Sequence, residues 1–131
     1  MSYITNIVEV VAKNTNFRTV LYTATKSQLV VMNIPPGENV GEETHAHVEQ
    51  ILFFQSGNGK AILDGQESPV KAGNLIIVSP GTKHNFINTG IEPLIIATIY
   101  VPPNHIDGRI HKTKADAVAD MADEEFGEAI V

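Results

Sequence analysis

The sequence predicts an all-β domain, a sandwich or barrel of short strands that ends in a short C-terminal helix or tail. Short runs rich in β-branched residues recur at intervals of about ten residues, which is typical of such folds. Gly, Pro and Asp-Gly turn signals separate these runs. The chain has 131 residues, and one domain of that size buries roughly two thirds of its unfolded surface. A continuous apolar run of membrane-spanning length is absent from the sequence.

Turn residues set the expected strand boundaries. Pro35-Pro36-Gly37 ends one strand, because proline cannot donate to a hydrogen-bonded ladder. Gly57-Asn58-Gly59 and Asp64-Gly65 are predicted as tight hairpin reversals, since both suit positive φ angles. The stretch before residue 12 is expected to be a short strand or a turn of helix. The predicted strands are 17–22, 28–34, a strand running to Ser56, 60–63, 74–78, 84–88 and 94–101.

The C-terminal stretch differs from the rest in charge, so we divide the chain into a barrel domain, 1–114, and an acidic segment, 115–131. The segment carries six acids and no Lys or Arg, whereas the rest carries nine acids and nine bases. Five apolar residues fall at helical spacing with the acids on the other face. They are Ala115, Val118, Ala119, Ala122 and Phe126. An amphipathic helix and a frayed tail both remain open.

Composition excludes several classes of function. No basic patch indicates a nucleic-acid partner, which would need an electropositive surface. The absence of cysteine excludes disulfides and thiolate ligands and agrees with a cytoplasmic location. The first residues lack the basic start and apolar core of a secretory signal, so none is expected. We therefore expect a small-molecule substrate and neither nucleic acid nor membrane as partner.

The stretch from Gly37 to Gly57 concentrates the metal-ligating side chains. In an extended strand alternate residues share a face, so Glu43, His45, His47 and Glu49 are expected to point one way. Imidazole and carboxylate groups are common ligands of divalent transition metals. His84 lies far downstream in a second strand signal and is a further candidate. A local cluster with one remote histidine predicts a metal site inside a closed sheet.

The same stretch resembles the first motif of the cupins, G-x5-H-x-H-x3,4-E-x6-G. Every spacing fits when the motif is anchored on its glycines, with Glu43 at the first histidine position and Gln50 at the glutamate position. The motif positions are Gly37, Glu43, His45, Gln50 and Gly57.

The second cupin motif, G-x5-P-x-G-x2-H-x3-N, resembles the stretch from Gly73 to Asn88, with Ser79 in place of the first proline. The resemblance implies a single-domain cupin β-barrel, that is, a double-stranded β-helix or jelly roll. It also implies a ligand site at the mouth of the barrel. The chain looks similar to small cupins of the mannose-6-phosphate isomerase-like type, which implies a sugar or sugar-phosphate ligand.

Two ligand sets follow from these patterns. The glycine register implies Glu43, His45, Gln50 and His84, and it requires a small bulge that returns Gln50 to the inner face. Strand alternation alone gives His45, His47, Glu49 and His84. We favour the first set, because the glycines at both ends demand it. One divalent metal is expected, and these ligands suit Mn, Fe, Ni, Co or Zn equally well.

Three classes of function remain open from the sequence. The favoured class is a metal-dependent enzyme that isomerises a small oxygenated molecule or oxidises it with dioxygen, with His47 and Glu49 as acid and base and Tyr100 beside the pocket. The second is a metal-free epimerase of the nucleotide-sugar type, which uses His and Tyr for proton transfer. The third is a non-catalytic binding or sensing module. Barrels of this kind commonly pair, so we expect a homodimer; His105 and His111 are expected to lie outside the pocket.

Overall fold

The computed structural model describes residues 2–129, which form two antiparallel sheets and three short helices. The strands are β1 Arg18–Thr23, β2 Gln28–Ile34, β3 Glu43–Thr44, β4 Glu49–Ser56, β5 Asn58–Leu63, β6 Gln66–Lys71, β7 Leu75–Val78, β8 Lys83–Asn88, β9 Leu94–Val101 and β10 Ile110–His111. The helices are α1 Ile7–Lys13, α2 Lys114–Ala119 and α3 Met121–Glu128. The predicted all-β barrel is confirmed, and the uncertain N-terminal stretch forms a helix.

The six-stranded sheet has the order β10-β1-β2-β9-β4-β7, and the four-stranded sheet has the order β3-β8-β5-β6. The predicted turn at Asp64-Gly65 is confirmed as the β5–β6 hairpin, with φ angles of 49° and 83°. The hairpin predicted at residues 57–59 is wrong, because β4 and β5 belong to different sheets. The chain crosses between sheets there, and a Cβ added at Gly57 would lie 2.6 Å from the carbonyl oxygen of Pro93.

The apolar core lies between the two sheets and follows the alternation of each strand. In β4 the residues Gln50, Leu52 and Phe54 point inward, while their neighbours are less buried. The rings of Phe54 and Phe86, from opposite sheets, lie 5.8 Å apart between centroids. Burying each such side chain stabilises the fold by about 1.5–3 kcal/mol. The core thereby fixes which residues of the strands reach the site.

Helix α1 packs on the outer face of the six-stranded sheet. Asn6 caps it by accepting a hydrogen bond from the backbone amide of Glu9 at 3.1 Å. Its buried residue Val11 contacts Val31 and Ala97 in a second, smaller apolar cluster. This helix covers part of the outer face.

The C-terminal segment forms two helices rather than a frayed tail, but the apolar face expected from the spacing is exposed. Val118 is 67% exposed and Phe126 is 40% exposed, whereas Asp123 is only 5% exposed. The buried face is polar because Asp120 and Asp123 bond side chains of the segment before α2. Thr113 and Asp116 form a capping box at the start of α2. The expected division after residue 114 stays a prediction, with α2 beginning at Lys114.

The chain changes sheets within the metal-candidate stretch. It leaves the four-stranded sheet after Thr44 and enters the six-stranded sheet at Glu49. Simple strand alternation therefore does not apply across residues 45–48, and Gln50 points inward while Glu49 points the other way. Within residues 2–129, none of the helices is long and apolar enough to span a membrane.

Candidate functional site

A cavity of about 540 Å³ lies where β1, the β3–β4 connection, the segment after β9 and the C-terminal helices meet. Pockets for small molecules commonly have volumes of a few hundred Å³ or more. The lining of the cavity includes Glu43, His45 and His47 from the metal-candidate stretch. It also includes Arg18 and His105, which come from distant parts of the sequence. The fold thus joins the predicted ligands to side chains that the motif does not contain.

Three of the four residues in the favoured ligand set lie close together. Glu43 and His84 are directly opposite each other in the β3–β8 pair. His45 Nε2 lies 3.1 Å from Glu43 Oε2, and the rings of His45 and His84 are 5.2 Å apart between centroids. The pairing of two short strands therefore brings together residues that are about forty positions apart in the sequence.

The ring of His84 is held in one orientation. Its Nδ1–H donates to the carbonyl of Thr82, with 2.9 Å between the heavy atoms, so Nε2 carries the free lone pair. Burial lowers the pKa of His84 below its ordinary value, although the Thr82 carbonyl opposes that change. A neutral imidazole with its other nitrogen bonded to a carbonyl is the form in which histidine binds a metal. His84 also borders a second cavity, of about 370 Å³.

Gln50 has the form of an oriented oxygen ligand. Its amide nitrogen donates to the hydroxyl of Thr98 at 3.2 Å and to that of Tyr100 at 3.4 Å. Its Oε1 is buried and has no hydrogen-bond partner among the described residues. An unpaired buried acceptor costs about 1–3 kcal/mol, so a cation or donor from outside the chain would relieve it. The ring of Tyr100 lies 6.1 Å from that of His45, between centroids, and connects Gln50 to the cluster.

The donor set therefore suits a divalent transition metal. It comprises one carboxylate, one amide oxygen and two imidazoles, namely Glu43, Gln50, His45 and His84. Burial raises the pKa of Glu43, but the hydrogen bond from His45 and the positive charge of Arg18 outweigh it, so the pKa stays below its usual value. An ionised carboxylate is the form that binds a cation. The binding of a metal by this set stays a prediction.

A second acidic and imidazole group lies in the C-terminal region. His111, Asp120 and Asp123 offer ligand atoms within 4.8 Å of one another, and among residues 2–129 this is the group that meets that spacing for His and acidic ligands. Asp120 already accepts from Arg109 Nε and His111 Nε2, both at 2.9 Å. The hydrogen bond from His111 is the main cause that lowers the pKa of Asp120 to about 2. These bonds stabilise the segment without a metal.

The predicted acid and base residues have different surroundings. His47 is exposed and lies on the cavity lining, whereas Glu49 lies outside that lining and pairs with Val101. Tyr100 is buried, and burial raises the pKa of its hydroxyl. The alternative ligand set of His45, His47, Glu49 and His84 is not gathered in this arrangement, because Glu49 shares no face with Gln50. The catalytic roles of His47, Glu49 and Tyr100 stay predictions.

The sequence does not predict four residues of the site, namely Arg18, Asn104, His105 and Asp123. His105 was expected outside the pocket, yet it lines the cavity, and its Nδ1 lies 2.7 Å from Asp123 Oδ2. Arg18 and Asn104 also line it. A signal existed for Arg18, since it alternates with inward-facing Val20 in β1. No local pattern marks the other three, because they meet the site only through the path of the chain after β9.

The fold and these motifs define a small β-barrel protein with a polar cavity at one end. The Cupin_2 family, described as "Cupin domain", matches residues 30–101. The chain therefore belongs to the cupin family.

Similar proteins support the same assignment. The chain is 41% identical over 124 residues to the uncharacterized protein YrkC of Bacillus subtilis, a match that covers 89% of this chain and 66% of YrkC. It is 34% identical over 70 residues to the oxalate-binding protein of Thermotoga maritima, covering 53% of this chain and 58% of that protein. The crystal structure of BH2720 from Bacillus halodurans matches with a TM-score of 0.89 and 34% identity over 91% of this chain and 95% of that one. The chain thus spans about two thirds of the length of YrkC and 58% of the length of the Thermotoga protein. The likeness to mannose-6-phosphate isomerase-like cupins stays a prediction.

Proposed function

We propose that this cupin is a metal-dependent enzyme that acts on a small oxygenated molecule, either as an isomerase of a sugar or sugar phosphate or as a dioxygenase. The observation that carries the proposal is the buried Oε1 of Gln50, which has no partner among the described residues, together with the close rings of His45 and His84, of which His84 is oriented by Thr82. Glu43 completes the set as the anionic ligand. The relative in Thermotoga maritima is named for binding oxalate, which is itself a small oxygenated molecule and supports this class of ligand.

A divalent metal bound by these residues would polarise a substrate oxygen or lower the pKa of bound water. The chain's own contributions follow from its contacts. Thr98 and Tyr100 hold the amide of Gln50, and the Thr82 carbonyl holds His84. The buried setting of Tyr100 keeps its hydroxyl protonated near neutral pH, so it acts as a hydrogen-bond partner.

Elemental analysis of the purified protein and of His84→Ala tests the metal site. We expect about one equivalent of metal in the wild type and loss of that metal in the variant, because one imidazole and its lone pair are removed. Lys83→Ala is the matched control: it alters the exposed neighbour in the same strand and should keep the metal. Wild-type protein without metal would contradict the proposal. Oxygen uptake by the Fe(II)-loaded protein separates the dioxygenase from the isomerase.

A metal-free epimerase-like activity is the second candidate, and the setting of His105 favours it. This histidine is oriented by Asp123 at 2.7 Å, and its ring lies 5.0 Å from that of Tyr100 between centroids. A histidine and a tyrosine side by side suit proton transfer to and from a substrate carbon. Activity that survives complete chelation would favour this candidate over the first, and tight binding without turnover would indicate a sensing module.

The homodimer and the cytoplasmic location expected from the sequence are retained as proposals. The outer face of the six-stranded sheet exposes apolar side chains on β7 and β9, the two strands that flank β4, with Leu75 60%, Ile77 56% and Ile99 39% exposed. Such a patch would be covered by a second copy. Sedimentation of wild type and Ile77→Glu checks this: the variant should shift from dimer to monomer.

A further inference from the structure

Arg18 is a buried cation without a carboxylate partner. It is only 6% exposed, and its guanidinium lies over the ring of Phe17 at 5.4 Å. Its Nη1 lies 3.5 Å from His111 Nδ1, and its Nε has no hydrogen-bond partner in the described part of the chain. Among residues 2–129, none of the carboxylates comes within 4.0 Å of it. Buried charges are normally paired, so the position calls for an anion from outside the chain.

The same cavity holds two unpaired acceptors. Asn104 and His105 line the cavity, and Asn104 Oδ1 and His105 Nε2 are buried without a partner among the described residues. The Nδ1–H of His105 donates to Asp123, which leaves Nε2 as an acceptor in the neutral ring. Burial lowers the pKa of His105, and the nearby charge of Arg18 lowers it further, although Asp123 opposes both. The ring is therefore neutral near pH 7.

One unpaired donor on a cation and two unpaired acceptors define a complementary ligand. A carboxylate accepts from the planar guanidinium of Arg18. Hydroxyl groups donate to His105 Nε2 and Asn104 Oδ1. The cavity of about 540 Å³ has room for a molecule of about six carbons. Arg18 is the only Lys or Arg of the described lining, so a dianionic phosphate would lack the several cations and amides that it usually collects.

None of the carboxylates in the described lining is bonded to Arg18, although the charge of Arg18 lowers the pKa of Glu43 and of Asp123. Glu43 is paired with His45 instead. Glu42, Glu124 and Glu128 are exposed to solvent, where water screens their charge. Asp123 is bonded to His105 and to the backbone amide of Ile106. The buried end of the cavity therefore keeps a positive group that faces no carboxylate at bonding distance.

We infer that Arg18, His105 and Asn104 form a recognition subsite for a small hydroxycarboxylate, such as a sugar acid, with its carboxylate on Arg18 and a hydroxyl on His105 Nε2. This inference rests on the proposed function, because it names the substrate class of the same cavity. It makes Arg18 a specificity residue and gives His105 a binding role.

The two arginines of the chain, Arg18 and Arg109, allow a direct test. In a ¹⁵N spectrum of the Zn²⁺-incubated protein, gluconate should shift the Nε–H signal of Arg18 and leave that of Arg109 in place. The Arg18→Lys variant assigns the signals, since it removes one and keeps the positive charge. Arg109 is bonded to Asp120 and lies outside the described lining, so it serves as an internal control.

Calorimetry with matched ligands then separates the two contacts. Hexanoate lacks the hydroxyls of gluconate, and glucose lacks its carboxylate. Arg18→Gln should weaken the binding of gluconate and of hexanoate by about ten- to a hundredfold. The affinity for glucose should stay unchanged. His105→Gln should weaken the binding of gluconate and leave the affinity for hexanoate unchanged. Arg109→Gln, the same chemical change at a residue outside the described lining, should keep gluconate affinity within about twofold.

Each result decides the inference. Equal gluconate affinity in wild type and Arg18→Gln, or no shift of the Arg18 signal with any probe, would overturn it. A shift with glucose 6-phosphate but not with gluconate would also overturn it in favour of a phosphorylated ligand. Zinc content is measured on the same samples. Protein without zinc whose Arg18 signal still responds to gluconate would contradict the proposed function alone.

Discussion

Two regions of the candidate site hold their polar side chains in different ways. The barrel wall, made of β3, β4 and β8, places Glu43, Gln50 and His84 by strand pairing above an apolar core. The helix wall, made of residues 104–128, places its side chains by ion pairs and hydrogen bonds around Asp120 and Asp123. In the barrel wall the apolar pattern of the strands decides which groups point inward. In the helix wall the polar bonds decide it, and the apolar residues Val118 and Phe126 are left exposed.

Hydrophobic periodicity is therefore a guide to orientation only where the burial of apolar area contributes the largest share of the stabilising energy. A fully buried side chain such as Phe86 contributes about 1.5–3 kcal/mol by burial. In the short helices α2 and α3 little apolar surface is buried. A few charge-assisted hydrogen bonds of about 1.5–3 kcal/mol each are therefore enough to decide which face of the helix is buried.

The largest expected effect separates the two walls with a matched pair of phenylalanines. Phe86→Ala should lower the free energy of unfolding by about 3–5 kcal/mol, because a cavity opens beneath the barrel wall. Phe126→Ala removes the same atoms from a half-exposed position and should cost well under that amount. Urea denaturation measures both. Equal losses would show that α3 packs through Phe126 and would contradict the difference between the walls.

The next effect concerns the helix wall alone. Asp123→Ala should cost about 1–3 kcal/mol, because it leaves the amide of Ile106 and the Nδ1–H of His105 without an acceptor. Hydrogen exchange should show faster exchange in α3 and little change in β4. Glu125→Ala, an exposed acid of the same helix, is the control and should change neither.

A smaller effect sharpens the role of the barrel wall in ligand choice. Gln50→Glu replaces a neutral ligand oxygen by a charged one at constant size. Metal content should be kept, while affinity for an anion such as gluconate should fall by about tenfold, as expected for one added negative charge several Å away. Calorimetry and elemental analysis on the same samples check this. Unchanged affinity would show that the charge at position 50 does not reach the ligand.

The smallest expected effect is a local loss of stability in the helix wall at acid pH. The hydrogen bond from His111 is the main cause that lowers the pKa of Asp120 from 3.8 to about 2. Because the folded-state pKa is depressed, the stabilisation is complete above pH 3.8 and is lost as the pH falls through about 2. Between these values α3 should exchange its amides faster while β4 stays protected. Simultaneous loss of protection in both would contradict separate anchoring.

Much of the barrel was predictable because its signals are local or depend on spacing. Strand runs, the Asp64-Gly65 turn and the cupin motifs identified the fold, and the motif register brought Glu43, His45 and His84 into one region. The turn at residues 57–59 was not predicted correctly, since the same glycines permit a hairpin and a crossing between sheets. The crossing is required because β5 pairs with β8 in the other sheet.

The helix wall was not predictable in the same way. Its side-chain hydrogen bonds join residues that are nine to eighteen positions apart, such as His105 and Asp123, and no repeat marks them. Arg18 comes from the first strand, and its setting depends on the cavity that three later segments enclose.

The sequence alone determined the cupin barrel and the residues that its two motifs bring together. Turn chemistry and alternating apolar residues act over a few positions, and they can be read in order along the chain. Only the tertiary structure decided that Arg18, Asn104 and His105 lie in the same cavity with unpaired polar atoms. The physical reason is that an unpaired buried group is a property of everything packed around it, and that surrounding exists only after the sheets and helices have come together.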